Sequence, residues 1–168
     1  FNLGLMYDIG EGVKPDYKRA IKWYRLAAKQ NNVQAQFNLG QLYESGERVT
    51  QDYKKSVKWY RLAAKYNNEL AQLRLGNLLE KGKGVTKSHK KAVKWYKLAA
   101  EQGNETAQFN LGYMYSRGIG IKQNYSEAVK WYRLAAGQGN VLAQFNLGVL
   151  YSEGRGTPQS YSKAASWF

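Results

Sequence analysis

The sequence predicts an all-α solenoid, a stack of antiparallel helix-turn-helix repeats of 36 residues each. Three observations predict it. A leucine-glycine pair recurs every 36 residues, from Leu3-Gly4 to Leu147-Gly148. Two amphipathic helical patterns with their own start and stop signals fill each period. The five tryptophans keep the same spacing without a slip, at Trp23, Trp59, Trp95, Trp131 and Trp167. An unbroken period of this length is typical of repeat arrays, whose units stack only on their neighbours.

The first helix of each repeat, helix A, is clearest in the second period. Asn32 is a residue type that caps helix N-termini, and Gly46 suits the left-handed residue that follows a helix. Between them, Ala35, Leu39 and Leu42-Tyr43 recur on one face of a helix of about 13 residues. Equivalent caps occur at Asn68, Asn104 and Asn140, and equivalent glycines at Gly10, Gly82, Gly118 and Gly154.

The second helix, helix B, begins after a short loop. Asp52 is its predicted N-cap, and the helix runs from Tyr53 to about Tyr66. Two helices of this length joined by short loops pack antiparallel. The equivalent caps are Asp16, Ser88, Asn124 and Ser160, and the predicted buried side comprises Tyr53, Ser56, Val57, Tyr60, Ala63 and Ala64.

Two recurrent residues have a predicted packing role. Gly40 lies inside helix A, where glycine costs roughly 0.5–1 kcal/mol relative to alanine. We therefore expect helix B to approach helix A closely at this point. Trp59 and its equivalents are interpreted as apolar packing residues of an interface that all repeats share, rather than as a ligand-stacking platform.

Length and charge limit the function classes. The 168 residues are expected to form one array, with partial units at 1–32 and 141–168 and full units at 33–68, 69–104 and 105–140, cut from a longer protein. The net charge of +14 divides among these periods as +3, +3, +5, +2 and +1, which indicates an anionic partner. The absence of cysteine excludes disulfides and thiolate metal sites. No apolar run approaches the ~20 residues that span a bilayer, so a soluble segment is expected.

One repeat carries a recognisable motif. It reads AQFNLGYMY at 107–115, GIG at 118–120, AVKWYRLAA at 128–136 and QGN at 138–140. This string closely resembles the Sel1-like repeat, a longer-looped relative of the tetratricopeptide repeat. The resemblance implies a right-handed α/α superhelix with helix A on the concave side, and an adaptor role in assembling protein complexes. It also implies a bacterial protein of the periplasm, the secreted fraction or the cytoplasm, outside the subgroup that has a disulfide in each repeat.

The chain departs from this pattern in two repeats. Arg48 replaces the second loop glycine of the other repeats. In the third repeat, which is the most basic, Arg74 replaces the asparagine equivalent to Asn38, Leu79 replaces the tyrosine equivalent to Tyr43, and Ser88-His89 replaces an aspartate-tyrosine pair.

The helix-A face opposite the packing stripe is the first candidate binding surface. In tetratricopeptide modules, residues at this place bind extended peptides or a terminal carboxylate, and asparagine amides suit a peptide backbone. Arg74 could hold a carboxylate through two parallel hydrogen bonds. The alternative is that each asparagine bonds neighbouring helices and serves packing only. The predicted partner-binding residues are Asn38, Gln41, Arg74, Asn77, Asn110, Tyr113 and Asn146.

The outer side of helix B is the second candidate. Basic residues recur there at i, i+4, i+7 and i+11, and stacked repeats would align them as a basic panel on the convex side. Such a panel could bind an acidic protein, nucleic acid or an acidic membrane surface, although the aromatic residues beside the lysines are expected to be buried and unable to stack on bases. The alternative is a solvated helix face. The predicted anion-binding residues are Lys18, Lys22, Arg25, Lys54, Lys58, Arg61, Lys90, Lys94 and Lys97.

Catalytic patterns are missing from the sequence. One histidine and no cysteine exclude most catalytic triads and multi-ligand metal sites. His89 stands at a tyrosine position and is expected to be packed or half-exposed. We therefore expect a non-catalytic protein-protein interaction scaffold without cofactor or metal. Its expected partner is a peptide or protein, preferably an acidic one, that binds on the helix-A face. Anion binding through helix B is the alternative.

Overall fold

The computed structural model describes residues 1–168 and contains ten α-helices and no β-strand. The all-α prediction is confirmed. None of the ten helices combines the length and the apolarity needed to cross a lipid bilayer. The helices A are α1 (Asn2–Ile9), α3 (Val33–Ser45), α5 (Glu69–Lys81), α7 (Glu105–Arg117) and α9 (Val141–Glu153). The helices B are α2 (Tyr17–Lys29), α4 (Tyr53–Lys65), α6 (His89–Glu101), α8 (Tyr125–Gly137) and α10 (Tyr161–Trp167).

The predicted helix boundaries are confirmed by the capping contacts. The Asn32 side chain accepts a hydrogen bond from the Ala35 amide at 2.8 Å, and Asp52 does the same for Lys55 at 3.0 Å. Every other predicted N-cap makes the equivalent contact. The glycine after each helix A is left-handed, as Gly46 shows with φ of 73°. Helix α4 ends at Lys65, one residue before its predicted end.

The chain divides into two compact units. Unit 1 comprises Phe1–Lys87 and unit 2 comprises Ser88–Phe168. Within unit 1, helices α1 to α5 pack each on the next, and within unit 2, helices α6 to α10 do the same. Each unit has its own apolar core in which small alanines of helix B face leucines of helix A, as Ala20 and Leu39 do in unit 1.

The close approach predicted at the glycines of helix A is confirmed. A Cβ atom on Gly40 would lie 2.5 Å from the Tyr60 ring, and one on Gly112 would lie 2.8 Å from Tyr132. The Tyr60 side chain is completely buried, whereas Trp59 is only partly buried. In the first four repeats, the tyrosine that follows the tryptophan is therefore the central aromatic of the repeat. This agrees with the place of Tyr60 on the predicted buried side of helix B.

A buried glutamine joins each repeat to the one before it. The Gln36 side-chain amide donates to the carbonyl oxygen of Ala28 at 3.2 Å, and Gln108 and Gln144 donate in the same way to Ala100 and Ala136. The Ala28 carbonyl lies in the last turn of helix B and also accepts from the Asn31 amide at 3.1 Å. The glutamine therefore adds a second hydrogen bond to this helix end and ties it to the next helix A.

Replacement of Ser56 by alanine is expected to raise the free energy of unfolding by about 1 kcal/mol. The Ser56 hydroxyl is completely buried and has no hydrogen-bond partner. It lies close enough to Tyr60 to lower the pKa of that tyrosine, but burial outweighs this effect. Alanine occupies the equivalent positions, including Ala20. Urea denaturation of Ser56→Ala and of the reverse control Ala20→Ser measures the effect, and a loss of stability in Ser56→Ala would contradict it.

Candidate partner-binding surfaces

Two neighbouring clefts lie on the helix-A face of unit 1. The first has a volume of about 280 Å³ and is lined by residues of α1, α3 and the loop after α3, including Asp8, Asn38, Gln41 and Arg48. The second has a volume of about 350 Å³ and is lined by Gln41, Glu44, Ser45, Tyr53 and Arg74. The predicted residues Asn38, Gln41 and Arg74 therefore line clefts, and Gln41 is common to both.

The unit 1 clefts contain carboxylates that the sequence analysis did not single out. The Tyr24 hydroxyl donates to Asp8 Oδ2 at 3.1 Å, and the Tyr60 hydroxyl donates to Glu44 Oε2 at 2.7 Å. Burial raises the pKa of Tyr24 to about 12, although a hydrogen bond with Asn38 acts against this rise. Burial and the bond to Glu44 raise the pKa of Tyr60 as well. Both tyrosines are therefore neutral donors that fix a carboxylate at the edge of a cleft.

Arginines accompany these carboxylates. The Arg48 guanidinium forms an ion pair with Asp8 and lies over the Tyr17 ring, 4.7 Å from its centre. Arg74 is exposed and lies in the same cleft as Glu44, close enough that its charge lowers the pKa of Tyr60 against the effect of burial. Each cleft in unit 1 thus offers a partner both a carboxylate and a guanidinium.

A cleft of about 260 Å³ occupies the helix-A face of unit 2. It contains the predicted residues Tyr113 and Asn146, and Ser116 takes the position that Asp8 and Glu44 have in unit 1. The Ser116 hydroxyl lies 3.3 Å from the Tyr132 hydroxyl, whose pKa is raised by burial. The remaining lining residues include Arg117, Val149, Glu153 and Arg155, of which Glu153 and Arg155 form an ion pair at 3.2 Å.

The asparagines of the helix-A face serve packing at least in part. Asn38 accepts a hydrogen bond from Gln34 at 2.8 Å and also bonds Tyr24 of the preceding repeat. Asn146 bonds Tyr132 of its preceding repeat in the same way. All four candidate asparagines are half-buried, and neither Asn77 nor Asn110 is among the cleft-lining residues. These contacts favour the packing alternative for Asn38 and Asn146, whereas Gln41, Arg74 and Tyr113 of the predicted site are exposed.

The basic residues of the helix-B face are all exposed, as predicted. In unit 2, this holds for Lys90, Lys94 and Lys97, and Lys97 lies 3.8 Å from Glu101. In unit 1, Lys54, Lys58 and Arg61 of α4 are exposed beside the basic row of α2. That row, Lys18, Lys22, Arg25 and Lys29, lines a groove that also includes Lys58 of α4.

This helix-B groove has a volume of about 400 Å³ and an apolar floor of Ile21, Leu26 and Trp59. The expectation that the aromatic residues beside the lysines are buried is wrong for Trp59, which is partly exposed and lies 5.9 Å from the Lys58 ammonium. The reason is geometric. The Tyr60 side chain points toward helix A. Trp59 lies about 100° around the helix from Tyr60, so its side chain lies at the boundary with α2.

The arrangement brings together no group of three histidine, cysteine, aspartate or glutamate side chains that could hold a metal ion. His89 is partly buried at the start of α6, and a Cβ atom on Gly120 would lie 2.5 Å from the His89 carbonyl carbon. The expectation that His89 is packed or half-exposed is confirmed.

Comparison with solved structures shows the same fold in bacterial proteins. A protective antigen of uropathogenic Escherichia coli with an SLR fold is 43% identical, with a TM-score of 0.93 over 99% of this chain and 36% of the antigen. This chain therefore spans about a third of the antigen's length. A Sel1 repeat protein from Oxalobacter formigenes is 37% identical, with a TM-score of 0.93 over 99% of this chain and 69% of that protein. Cysteine-rich protein B of Helicobacter pylori is 28% identical, with a TM-score of 0.60 over 80% of this chain and 96% of that protein.

The sequence profile of the Sel1 repeat matches the chain five times, at residues 1–32, 33–67, 70–104, 106–140 and 141–168. Comparison with curated protein sequences gives no match. Because the five matches account for nearly every residue, and because two Sel1-type structures superimpose on 99% of the chain, this chain belongs to the Sel1 repeat family.

Proposed function

We propose that this chain is a non-catalytic scaffold that holds a peptide or protein partner on its helix-A face. Sel1 repeat proteins generally mediate protein-protein interactions. The observation that carries the choice of face is the set of polar clefts in both units, whose lining side chains differ from repeat to repeat: the exposed Gln41 and Arg74 in unit 1, and the exposed Tyr113 and half-buried Val149 in unit 2.

The clefts suit an extended segment better than a small molecule. They are open and mostly polar, and Gln41 belongs to two adjoining clefts, so a chain that occupies one cleft would continue into the next. Arg74 shares its cleft with Glu44, whose carboxylate accepts from the Tyr60 hydroxyl. A partner segment that offers both an acceptor and a donor would satisfy Arg74 and Glu44 together.

Arg74→Glu combined with Asn110→Ala is expected to weaken partner binding at least ~10-fold while helicity is unchanged, because both changes alter helix-A side chains outside the apolar core. A partner is first captured with the full-length protein and identified by mass spectrometry. The purified partner is then titrated against the wild-type protein and the variant, with circular dichroism as the folding check.

Two controls make this titration specific. Lys122→Glu reverses a positive charge, as Arg74→Glu does, but at an exposed loop residue outside both candidate faces. It is expected to change the affinity for the partner by no more than ~2-fold. Arg74→Gln removes the charge without reversing it and is expected to have an intermediate effect. Equal affinities for the wild-type protein and for the Arg74→Glu, Asn110→Ala variant would reject the helix-A face as the binding surface.

A further inference from the structure

The helix-B groove of unit 1 joins an apolar floor to a dense set of cations. Lys18, Lys22, Arg25 and Lys29 of α2 and Lys58 of α4 line it, and no acidic residue does. Among these cations, Arg25 is held in place because it donates to the Tyr43 hydroxyl at 2.5 Å. A surface with this excess of positive charge attracts an anionic partner over several ångströms, before contact is made.

The floor of the groove restricts the kind of anion. Leu26 is 43% exposed and, with Ile21 and Trp59, forms an apolar strip between the two helices. A purely charged ligand such as a phosphate backbone would leave this strip exposed to water. Only one aromatic ring is available, which is too few for the successive base stacking by which proteins hold single-stranded nucleic acids. The occupant that covers the floor and pairs with the rim has apolar and acidic side chains together.

The spacing of the cations matches a helix. The α2 row extends from Lys18 to Lys29 with intervals of four, three and four residues, which corresponds to about 16 Å along a helix axis. A partner helix in the groove would present leucine-type residues at i, i+4, i+7 and i+11 to the floor and acidic residues on both flanks, the usual pattern of helix-in-groove recognition.

We propose that the helix-B groove binds an acidic amphipathic helix of a partner protein, about three to four turns long. This interaction is independent of the proposed helix-A site, because it uses α2 and α4 residues on the outer side of unit 1. The exposed Leu26 and Lys22 are the central contacts of the groove. Leu26 belongs to its apolar floor and Lys22 to its cationic rim, and the two residues lie within about one turn of α2.

The test uses a fluorescently labelled synthetic peptide of about 14 residues, with leucines on one face and glutamates on both flanks, and fluorescence anisotropy as the readout. A scrambled peptide of the same composition has the same net charge but no apolar face, so it shows how much of the binding depends on the amphipathic pattern. A single-stranded oligonucleotide of matched charge and vesicles of anionic phospholipid represent the other anionic partners. We expect the patterned peptide to bind at least ~10-fold more tightly than the scrambled peptide.

A matched pair of variants locates the binding. Lys22→Glu with Leu26→Ser alters the groove, whereas Lys130→Glu with Leu134→Ser makes the same changes at the equivalent positions of α8. Leu134 is 46% exposed, similar to Leu26, but Ser126 and Gly137 stand where the groove has Lys18 and Lys29. We expect at least ~10-fold weaker peptide binding for the groove variant, at most ~2-fold for the α8 variant, and no effect of Arg74→Glu.

Four results would overturn the proposal: no binding of the patterned peptide, equal binding of the scrambled peptide, equal losses in the two double variants, or tighter binding of the oligonucleotide or the vesicles. Circular dichroism and thermal unfolding confirm that both double variants remain folded, which is expected because all four side chains are exposed. The outcome leaves the helix-A proposal unaffected, since that proposal is tested with variants of other residues.

Discussion

Gly112→Leu is expected to destabilise the protein by about 3 kcal/mol or more, at the upper end of what overpacking costs. A Cβ atom at this position would lie 2.8 Å from Cδ1 of the Tyr132 ring, and leucine adds three further carbons in the same direction. Tyr132 is 2% exposed and is part of the apolar core of unit 2, so a shift of its ring disturbs the packing of its neighbours. The better helix propensity of leucine, worth up to ~1 kcal/mol, offsets only part of this cost.

Thermal unfolding measures the effect, with an expected decrease in Tm of roughly 6–12 °C for a chain of this size. Gly137→Ala is the matched control, because Gly137 is also helical and lies in the partner helix α8, but no atom lies within 4 Å of a Cβ atom there. We expect that variant to be neutral or stabilised by up to ~1 kcal/mol. If Gly112→Leu unfolded at the wild-type temperature, the glycine would have no packing role.

The period of the sequence predicts the fold well because each signal is local. A capping side chain such as Asn32 acts on an amide three residues ahead, and a glycine such as Gly46 acts on its own φ. Because the same signals recur in every repeat, an error in one period is corrected by the others. This explains why the helix boundaries agree with the structure to within about one residue.

The candidate site was less predictable, because side-chain partners come from different helices. Helical spacing correctly placed Gln41 and Arg74 on an exposed face, but it did not reveal that Glu44 would share a cleft with Arg74. Helical spacing also placed Tyr60 on the buried side of α4, but it did not reveal that Trp59, about 100° around the helix, would be partly exposed in a groove against α2. A sequence signal for the carboxylates did exist, since Asp8, Glu44 and Glu80 recur at the repeat period.

Arg48 shows how a departure from the repeat changes a loop. All four other repeats have left-handed glycines at this position, and in the fourth repeat the Ile119 amide donates to the Met114 carbonyl at 3.0 Å. In the second repeat, Arg48 does not have a positive φ, and the Glu47 amide instead approaches the Ser45 hydroxyl at 3.4 Å. The loop thus adopts another path, and the arginine gains its contacts with Asp8 and Tyr17.

Gly120→Ala is expected to destabilise unit 2 by about 2–4 kcal/mol, because alanine costs roughly 1–2 kcal/mol in the left-handed region and also meets rigid backbone. Gly120 has φ of 70°, and its Cβ atom would lie 2.5 Å from the His89 carbonyl carbon. This contact places the loop of one repeat against the start of helix B of the preceding repeat. The neighbour is main chain, so it cannot move aside by changing a rotamer, as a flexible side chain would.

Gly139→Asn is the control in which both contributions to this cost are small. Gly139 is also left-handed, with φ of 97°, but no atom lies within 4 Å of a Cβ atom there, and Asn31 and Asn67 have positive φ at the equivalent positions. We therefore expect Gly139→Asn to change the free energy of unfolding by less than ~1 kcal/mol, measured by urea denaturation beside Gly120→Ala. Equal stabilities of the two variants would mean that the contact between the Gly120 loop and the His89 main chain makes no contribution to stability.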